Sequence, residues 1–371
     1  MKFCIITHVN HYQEQNNYYA YAPYVREMNI WLKYVDKAII VAPLEKKEKT
    51  AIDICYSGIK VEFKAVPSFQ ITGMKQIVKT ILAIPKLFYT IFKAMQSADH
   101  IHLRCPGNIG LIGCVVQIFF PKKKKTAKYA GNWDLQAAQP WSYRLQKWIL
   151  NSTFLTKNMQ VLVYGEWEGS SVNIKPFFTA TYSEIEKREV VAKKLNETIQ
   201  FIFVGTLSEG KRPLYALQLV EQLILSGRNV SLALYGEGAQ RNEIEHYIQK
   251  HNLAAFIQLK GNQTKEVLLE AYQNAHFLIL ASKSEGWPKV VAEAMFWGCV
   301  PLATNISCVN NMIVHENRGV LLTLNVQQDA QKVLDLIDHP SLYQQKAEKA
   351  VSWSQQYTTE KFENEIKKIL I

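Results

Sequence analysis

With 371 residues, 48% hydrophobic and 20% charged, the chain is long enough for two domains with separate cores and too apolar to be a disordered or fibrous protein. Its formal charge of +11 is confined to one half: residues 1–180 hold 23 Lys and Arg against 11 Asp and Glu, and the remainder holds 20 against 21. Cys4, Cys55, Cys105, Cys114, Cys299 and Cys308 form no C-x-x-C pair, which excludes a disulfide framework and a cysteine metal site and fits free thiols in a reducing cytosol.

In chain order, residues 1–7 read as a first strand, lacking the longer apolar region and small-residue cleavage site of a signal peptide. His8 and Asn10 open a polar, Tyr-rich loop that runs through Tyr21. Helical spacing over 24–32 and a strand over 38–42 complete a β-α-β unit. Residues 59–66 read as another strand, and 73–96 as one or two helices broken near Pro85. There Lys75, Lys79, Lys86 and Lys93 alternate with Ile77, Val78, Ile81, Leu82, Leu87, Phe88, Ile91 and Phe92. That pattern serves either a helix packed on a sheet or a basic surface resting on anionic lipid. The next strand carries His102 and Arg104 into a loop that opens the apolar run 109–120, which is too short to span a bilayer. The lysine run 122–125 lacks the interleaved aromatics of a nucleic-acid site. Strand 125–130 ends in Gly131-Asn132-Trp133-Asp134, where Asn132 and Trp133 are either site groups or a turn with a packed Trp. Residues 141–150 form an aromatic, basic helix, core or lipid-facing, and 161–165 are the last strand of this half.

Periodicity fades and charges cluster over 180–199, so the boundary is expected there. Residues 1–185 would form one domain, 196–355 a second, and 356–371 a terminal helix. Strand 201–205, helix 213–226, strand 231–235, helix 240–251, strand 256–260 and helix 265–274 then alternate, which predicts a parallel, doubly wound sheet. Two loops at strand ends stand out. Gly205-Thr206-Leu207-Ser208-Glu209-Gly210-Lys211-Arg212 is glycine-rich and basic, and Gly236-Glu237-Gly238 lets a backbone come close to a nucleotide.

The densest pattern is 282–295, which includes Ser284-Glu285-Gly286-Trp287-Pro288-Lys289. It lies between the apolar run 276–281 and strand 300–304, hence strand, loop, helix, strand. The helix should start near Pro288 and stop at Gly298, its first turn presenting unpaired N–H groups and a positive dipole end to an anion. Glu285 sits ahead of that end and Glu293 on the helix. A bound molecule would meet a carboxylate at each extremity with its phosphates between, which suits a nucleotide-sugar whose vicinal hydroxyls donate to carboxylates.

At these residues, with Gly286 and Pro288 between the glutamates and Ala294-Met295 after the second, the sequence resembles the retaining GT-B glycosyltransferases of family four, the group 1 type. The resemblance implies an α/β fold of two Rossmann-like, doubly wound parallel-sheet domains facing across a cleft. The acceptor-side domain comes first, the nucleotide-sugar domain second, and the last helix crosses back. It implies that Glu285 contacts the donor sugar, Glu293 the ribose, and Lys211, beside Gly205, the diphosphate. Gly236, Gly238, Gly286, Trp287, Pro288 and Lys289 would line the donor, and the 261–266 loop the base. Thr206 stands where the family has an Arg, so Arg212, Lys289 or Arg104 must supply the second cation. His102 matches a histidine that faces the reacting centre, and His8, Asn10, Asn132 and Trp133 fall on the acceptor side, although the usual Gly-Gly of the first loop is absent.

No D-x-D motif occurs, so neither metal nor cofactor is expected beyond the nucleoside diphosphate sugar itself. The implied activity is retaining, metal-independent transfer of a hexose to the hydroxyl of a glycan or lipid-linked acceptor, in cell-surface polysaccharide assembly. The setting would be cytoplasmic, with peripheral contact to an anionic membrane and no nucleic acid. A nucleotide-sugar epimerase or hydrolase has the same fold, and Thr206 favours a non-catalytic nucleotide-sugar-binding subunit.

Overall fold

The computed structural model describes residues 1–46, 50, 53–67, 74–190, 193–195 and 197–371, with backbone alone over 74–81. The side chains of Lys75, Ile77, Val78, Lys79 and Ile81 therefore lie outside the described residues. Two compact units result: Met1–Phe177 with Glu363–Ile371, and Phe178–Phe362. The division thus falls ahead of the expected 185.

The first unit runs β1 (Lys2–Ile6), β2 (His11–Glu14), β3 (Asn17–Tyr21), α1 (Ala22–Leu32), β4 (Lys37–Glu45), β5 (Asp53–Cys55), β6 (Lys60–Val66), α2 (Met74–Gln96), β7 (His100–Cys105), α3 (Asn108–Val116), β8 (Lys124–Tyr129), α4 (Trp141–Leu150), β9 (Met159–Tyr164) and β10 (Ile174–Phe177). Its strands order as β10-β9-β8-β7-β1-β4, with β6 also on β4 and a β2-β3-β5 extension. The pairs from β10 to β4 and β6 are parallel, whereas β2–β3 and β3–β5 are antiparallel.

Alternate residues of the central strands serve opposite faces. Cys4, Ile6, Ile101, Leu103, Cys105, Ala127 and Val161 share one core with Leu87 and Ile91 of α2, Ile109 and Cys114 of α3, and Ile149 and Leu150 of α4. Phe3, His100 and His102 stand on the other face, stacked with one another and with Trp31 of α1. Helix α2 runs unbroken through Pro85, against the expected break. Pro85 is exposed, and a proline removes one helical hydrogen bond without having to end the helix. Two of the four lysines in the run 122–125 point into the unit. Lys123 Nζ donates to the carbonyls of Met95, Gln96 and Ala98 at the end of α2, and buried Lys125 donates to those of Gln117 and Phe120 after α3.

The second unit contains β11 (Ile199–Val204), α5 (Pro213–Leu225), β12 (Val230–Tyr235), α6 (Arg241–Lys250), β13 (Ile257–Gly261), α7 (Lys265–Asn274), β14 (Phe277–Leu280), α8 (Lys289–Phe296), β15 (Val300–Thr304), α9 (Val309–Ile313), β16 (Val320–Leu322), α10 (Val326–Asp338) and α11 (Pro340–Ser354). The last helix, α12 (Thr359–Leu370), leaves this unit after Phe362, and its Glu363 takes hydrogen bonds from Lys33 and Tyr34 in the first. The sheet is parallel in the order β13-β12-β11-β14-β15-β16. Strands built on from β11 go one way as far as β13 and the other way from β14, so β11 and β14 flank a switch point, where such sheets open a crevice at their carboxyl ends.

Candidate functional site

The loops that leave β11 and β14 meet at this switch point. Lys283 N donates to Gly210 O at 2.7 Å and Arg212 Nη1 to Ala281 O at 3.0 Å. Between these two ties Lys211 Nζ forms an ion pair with Glu285, and the pair is half-buried, with side chains 28% and 12% exposed. The structure thus joins the basic loop and the first motif glutamate. Arg212, in a left-handed conformation at the start of α5, is spent on the Ala281 carbonyl. Thr206 is exposed in the same loop.

The glycines of the neighbouring loop have a packing role within the protein. A Cβ on Gly236 would lie 1.9 Å from Gly205 O, and one on Gly238 would lie 2.4 Å from Leu207 O. Leu207 N donates to Glu237 O at 3.0 Å. These residues are small so that the loops after β11 and β12 can lock together; the close approach is of backbone to backbone within the protein.

Helix α8 begins with Pro288 as its N-cap, no side chain caps it, and Gly298 closes it with φ 72. Ahead of it, Gly286 O accepts from Ser307 Oγ at 2.8 Å and from Cys308 Sγ at 3.3 Å, which pins the loop carrying Glu285. Trp287 stacks at 6.2 Å on Trp353 of α11 and edges onto Tyr357, so the motif's aromatic residue anchors the loop to the unit. Lys289 is half-buried in the first turn. Glu293 accepts from Thr181 Oγ1 at 2.7 Å and from Tyr272 OH at 3.2 Å. Burial, then the Glu293 charge, pushes the Tyr272 phenol well up, so it stays a donor. Thr181 and Tyr272, which orient Glu293, carry no sequence signal because they come from elements outside the motif.

In the first unit two expectations are corrected. His102 is fully buried one pleat below the strand end, with Nδ1 2.8 Å from Thr126 Oγ1 and its ring against Trp31 and Phe3. Burial lowers its pKa to about 3, so it is a neutral core histidine with no access to a reacting centre. Trp133 is likewise fully buried, donating to Ser170 Oγ at 3.2 Å and packed edge-on against Tyr129. Asn132 uses its side chain to accept from Asp134 N at 2.9 Å.

Arg104 is held 3.0 Å from Glu27, which also pairs with Lys128 at 3.1 Å. Burial would raise the Glu27 carboxyl, but Lys128 and Arg104 together bring it to about 2. Lys128 was legible only as one lysine of a basic strand, and Glu27 only as one acid on a helix. His8 follows β1 with its ring beside Gly107; desolvation of the imidazole and then the Arg104 charge lower its pKa. Asn10 is exposed and donates to Glu45 at 2.5 Å.

Residues 184–353 match the family described as "Glycosyl transferases group 1". An uncharacterized glycosyltransferase of Haemophilus influenzae is 31% identical over 48% of this chain and 50% of its own length. The UDP-Gal:alpha-D-GlcNAc-diphosphoundecaprenol alpha-1,3-galactosyltransferase of Escherichia coli is 24% identical over 69% of this chain and 68% of its own. The chain spans half or less of the length of the first curated relatives it matches. Among solved structures, Anabaena HepE in complex with UDP and glucose superposes with a TM-score of 0.68 at 14% identity, covering 100% of this chain and 99% of that one. WaaG gives 0.64 at 13%, covering 100% and 98%. The matched segment, which contains Lys211, Glu285 and Glu293, is similar to the group 1 glycosyltransferases, and the chain has a GT-B fold of two Rossmann-like domains.

Proposed function

We propose that the chain is a retaining, metal-independent glycosyltransferase that moves a hexose from a nucleoside diphosphate sugar to an acceptor hydroxyl. The observation that carries this reading is the Lys211–Glu285 pair at the switch point, beside the uncapped start of α8. In the free protein each charge neutralises the other. A donor would take both: its sugar hydroxyls donate to Glu285, and its diphosphate draws the Lys211 ammonium and the α8 amides. Glu293, held by Thr181 and Tyr272, is placed to accept from ribose hydroxyls. As the glycosidic bond breaks, charge grows on the leaving diphosphate, where Lys211 stabilises it most. The leaving phosphate then takes the acceptor proton, so no protein nucleophile is required. The name of the Escherichia coli relative gives a UDP-Gal donor and a diphosphoundecaprenol-linked acceptor, which supports a uridine diphosphate sugar and a lipid-linked acceptor here and, with them, a role in polysaccharide or lipid-linked glycan assembly.

A second reading, donor binding without turnover, is favoured by Thr206 and by the engagement of Arg212 with Ala281 O, which leave Lys211 without a second clamp from this loop. One experiment separates the two: release of uridine diphosphate from a panel of its sugars, with and without acceptor, by the parent chain and by Glu285→Ala. Glu285→Ala should lower turnover by roughly 100- to 10,000-fold and leave the thermal shift given by uridine diphosphate in place. Near-normal turnover in the variant removes Glu285 from its role, and a parent chain that binds donor but never releases nucleotide establishes the second reading.

A further inference from the structure

The inner sides of α2, α3 and α4 enter one core against one face of the first sheet, and α3 packs against both of its neighbours. Their outer sides therefore look the same way. On those sides stand Leu82 and Tyr89 of α2, Val115 of α3, and Trp141, Leu145 and Trp148 of α4; Phe119 and Phe154 follow in adjoining turns, and all are exposed. Trp148 is 65% and Phe154 76% exposed. The well-exposed aromatic rings among the described residues all belong to the first unit.

Charge follows the same surface. Residues 63–165 contain 14 Lys and Arg but only two acids, Asp99 and Asp134. Arg104, Lys123, Lys125, Lys128 and Lys147 are occupied internally and Lys64 pairs with Glu62, whereas Lys86, Lys93, Lys122, Lys124, Arg144 and Lys157 are exposed around the apolar residues. On α4 the sequence Trp141, Arg144, Leu145, Trp148 repeats at helical spacing, so one outward stripe carries both rings and cation.

A second copy of the chain would set like charges against each other with no acids to answer them. Nucleic acid would answer the charges but has no apolar layer to receive Leu82, Val115 and Leu145. A bilayer interface accepts both: Trp at headgroup level, aliphatic groups beneath it, and Lys or Arg against phosphate. We propose that this face docks on an anionic lipid bilayer, with Trp141, Trp148 and Phe154 entering the headgroup region and Arg144 and Lys157 lying against lipid phosphates. The centre of the contact is α4, which the sequence left as either core or lipid-facing, and the turn after it. This docking does not depend on the donor or acceptor proposed above.

The test uses the full chain and vesicles of phosphatidylcholine with or without phosphatidylglycerol, followed by sedimentation and tryptophan emission. Binding is expected on phosphatidylglycerol vesicles only, with a blue shift of emission and weakening by salt. The variant Trp141→Ser/Trp148→Ser/Phe154→Ser and the variant Arg144→Glu/Lys157→Glu should each lower the partition coefficient about tenfold or more. Both change exposed positions, so their melting temperatures and their thermal shift with uridine diphosphate should match the parent, which keeps this result separate from donor binding. Absence of binding at low salt, or variants that bind as the parent does, overturns the proposal. So does equal binding to vesicles without phosphatidylglycerol, displacement by duplex DNA at comparable concentration, or a parent dimer that the triple variant converts to monomer.

Discussion

Lys211 and Glu285 show how little room a site of this kind leaves for substitution, and Gly236 shows the same for its support. With its Cβ position 1.9 Å from Gly205 O, alanine at 236 cannot enter without moving the loop that carries Lys211. Backbone at φ 140 adds strain for any side chain. Gly236→Ala should therefore cost about 3 kcal/mol or more, read as a lower urea midpoint. Uridine diphosphate binding should fall with it, because the 205–212 loop must shift. Unchanged stability with full binding would show that the two loops are not tightly interlocked. Lys211→Met makes a separate case. It leaves Glu285 half-buried without its cation, and it should lower turnover by roughly 100-fold or more while barely moving the melting temperature.

At the scale of elements, buried charges close the ends of helices. Asp329, fully buried in the first turn of α10, accepts from Thr323 N, Leu324 N and Tyr215 OH, at 2.8, 3.0 and 2.6 Å, and pairs with Lys332. Asp329→Ala leaves those donors unanswered and should cost about 3 to 5 kcal/mol in urea unfolding, against about 1 kcal/mol for Tyr215→Phe. Equal costs would mean that the carboxylate is not the hub. These tertiary roles mark what the sequence could and could not show. Strands β14 and β15 were legible because both of their faces are buried, which writes continuous apolar runs between turns, and β12 and β13 because their burial alternates residue by residue. The β2–β3 hairpin was read as loop: Tyr12, Tyr18 and Tyr19 are half-buried and polar at the tip, so the run shows no clean alternation. Glu285, Glu293 and Lys211 were found because a local spacing carries them. His102 was misplaced because a polar residue in mid-strand and one at the strand's end look alike in sequence, whereas His102, the third residue of β7, is buried under Trp31 and Phe3. Thr181, Tyr272, Glu27 and Lys128 act across the fold, and no local pattern announces them.

For the whole molecule, titration distinguishes the two units. His11, His100 and His102 are buried in the first unit, and burial lowers their pKa values to about 4, 4 and 3 from 6.5. Below 6.5 the unfolded chain takes up protons that the folded histidines refuse, so stability present above that pH is lost as it falls toward 4. Each histidine contributes up to about 1.4 kcal/mol per pH unit in that window. Glu27, lowered from 4.5 to about 2, adds a further loss only below 4.5. In the second unit burial likewise lowers His276. Calorimetry from pH 7.5 to pH 5 should therefore show the first unit's transition falling faster than that of the second. Uridine diphosphate supplies the assignment, since it should raise only the transition of the unit that binds it. The variant His100→Gln/His102→Gln keeps groups able to bond Thr126 Oγ1 yet cannot titrate, so it should flatten the pH dependence of the ligand-insensitive transition. If acid instead lowers the ligand-responsive transition at least as much, or the double variant stays as steep as the parent, the buried histidines do not set the acid limit.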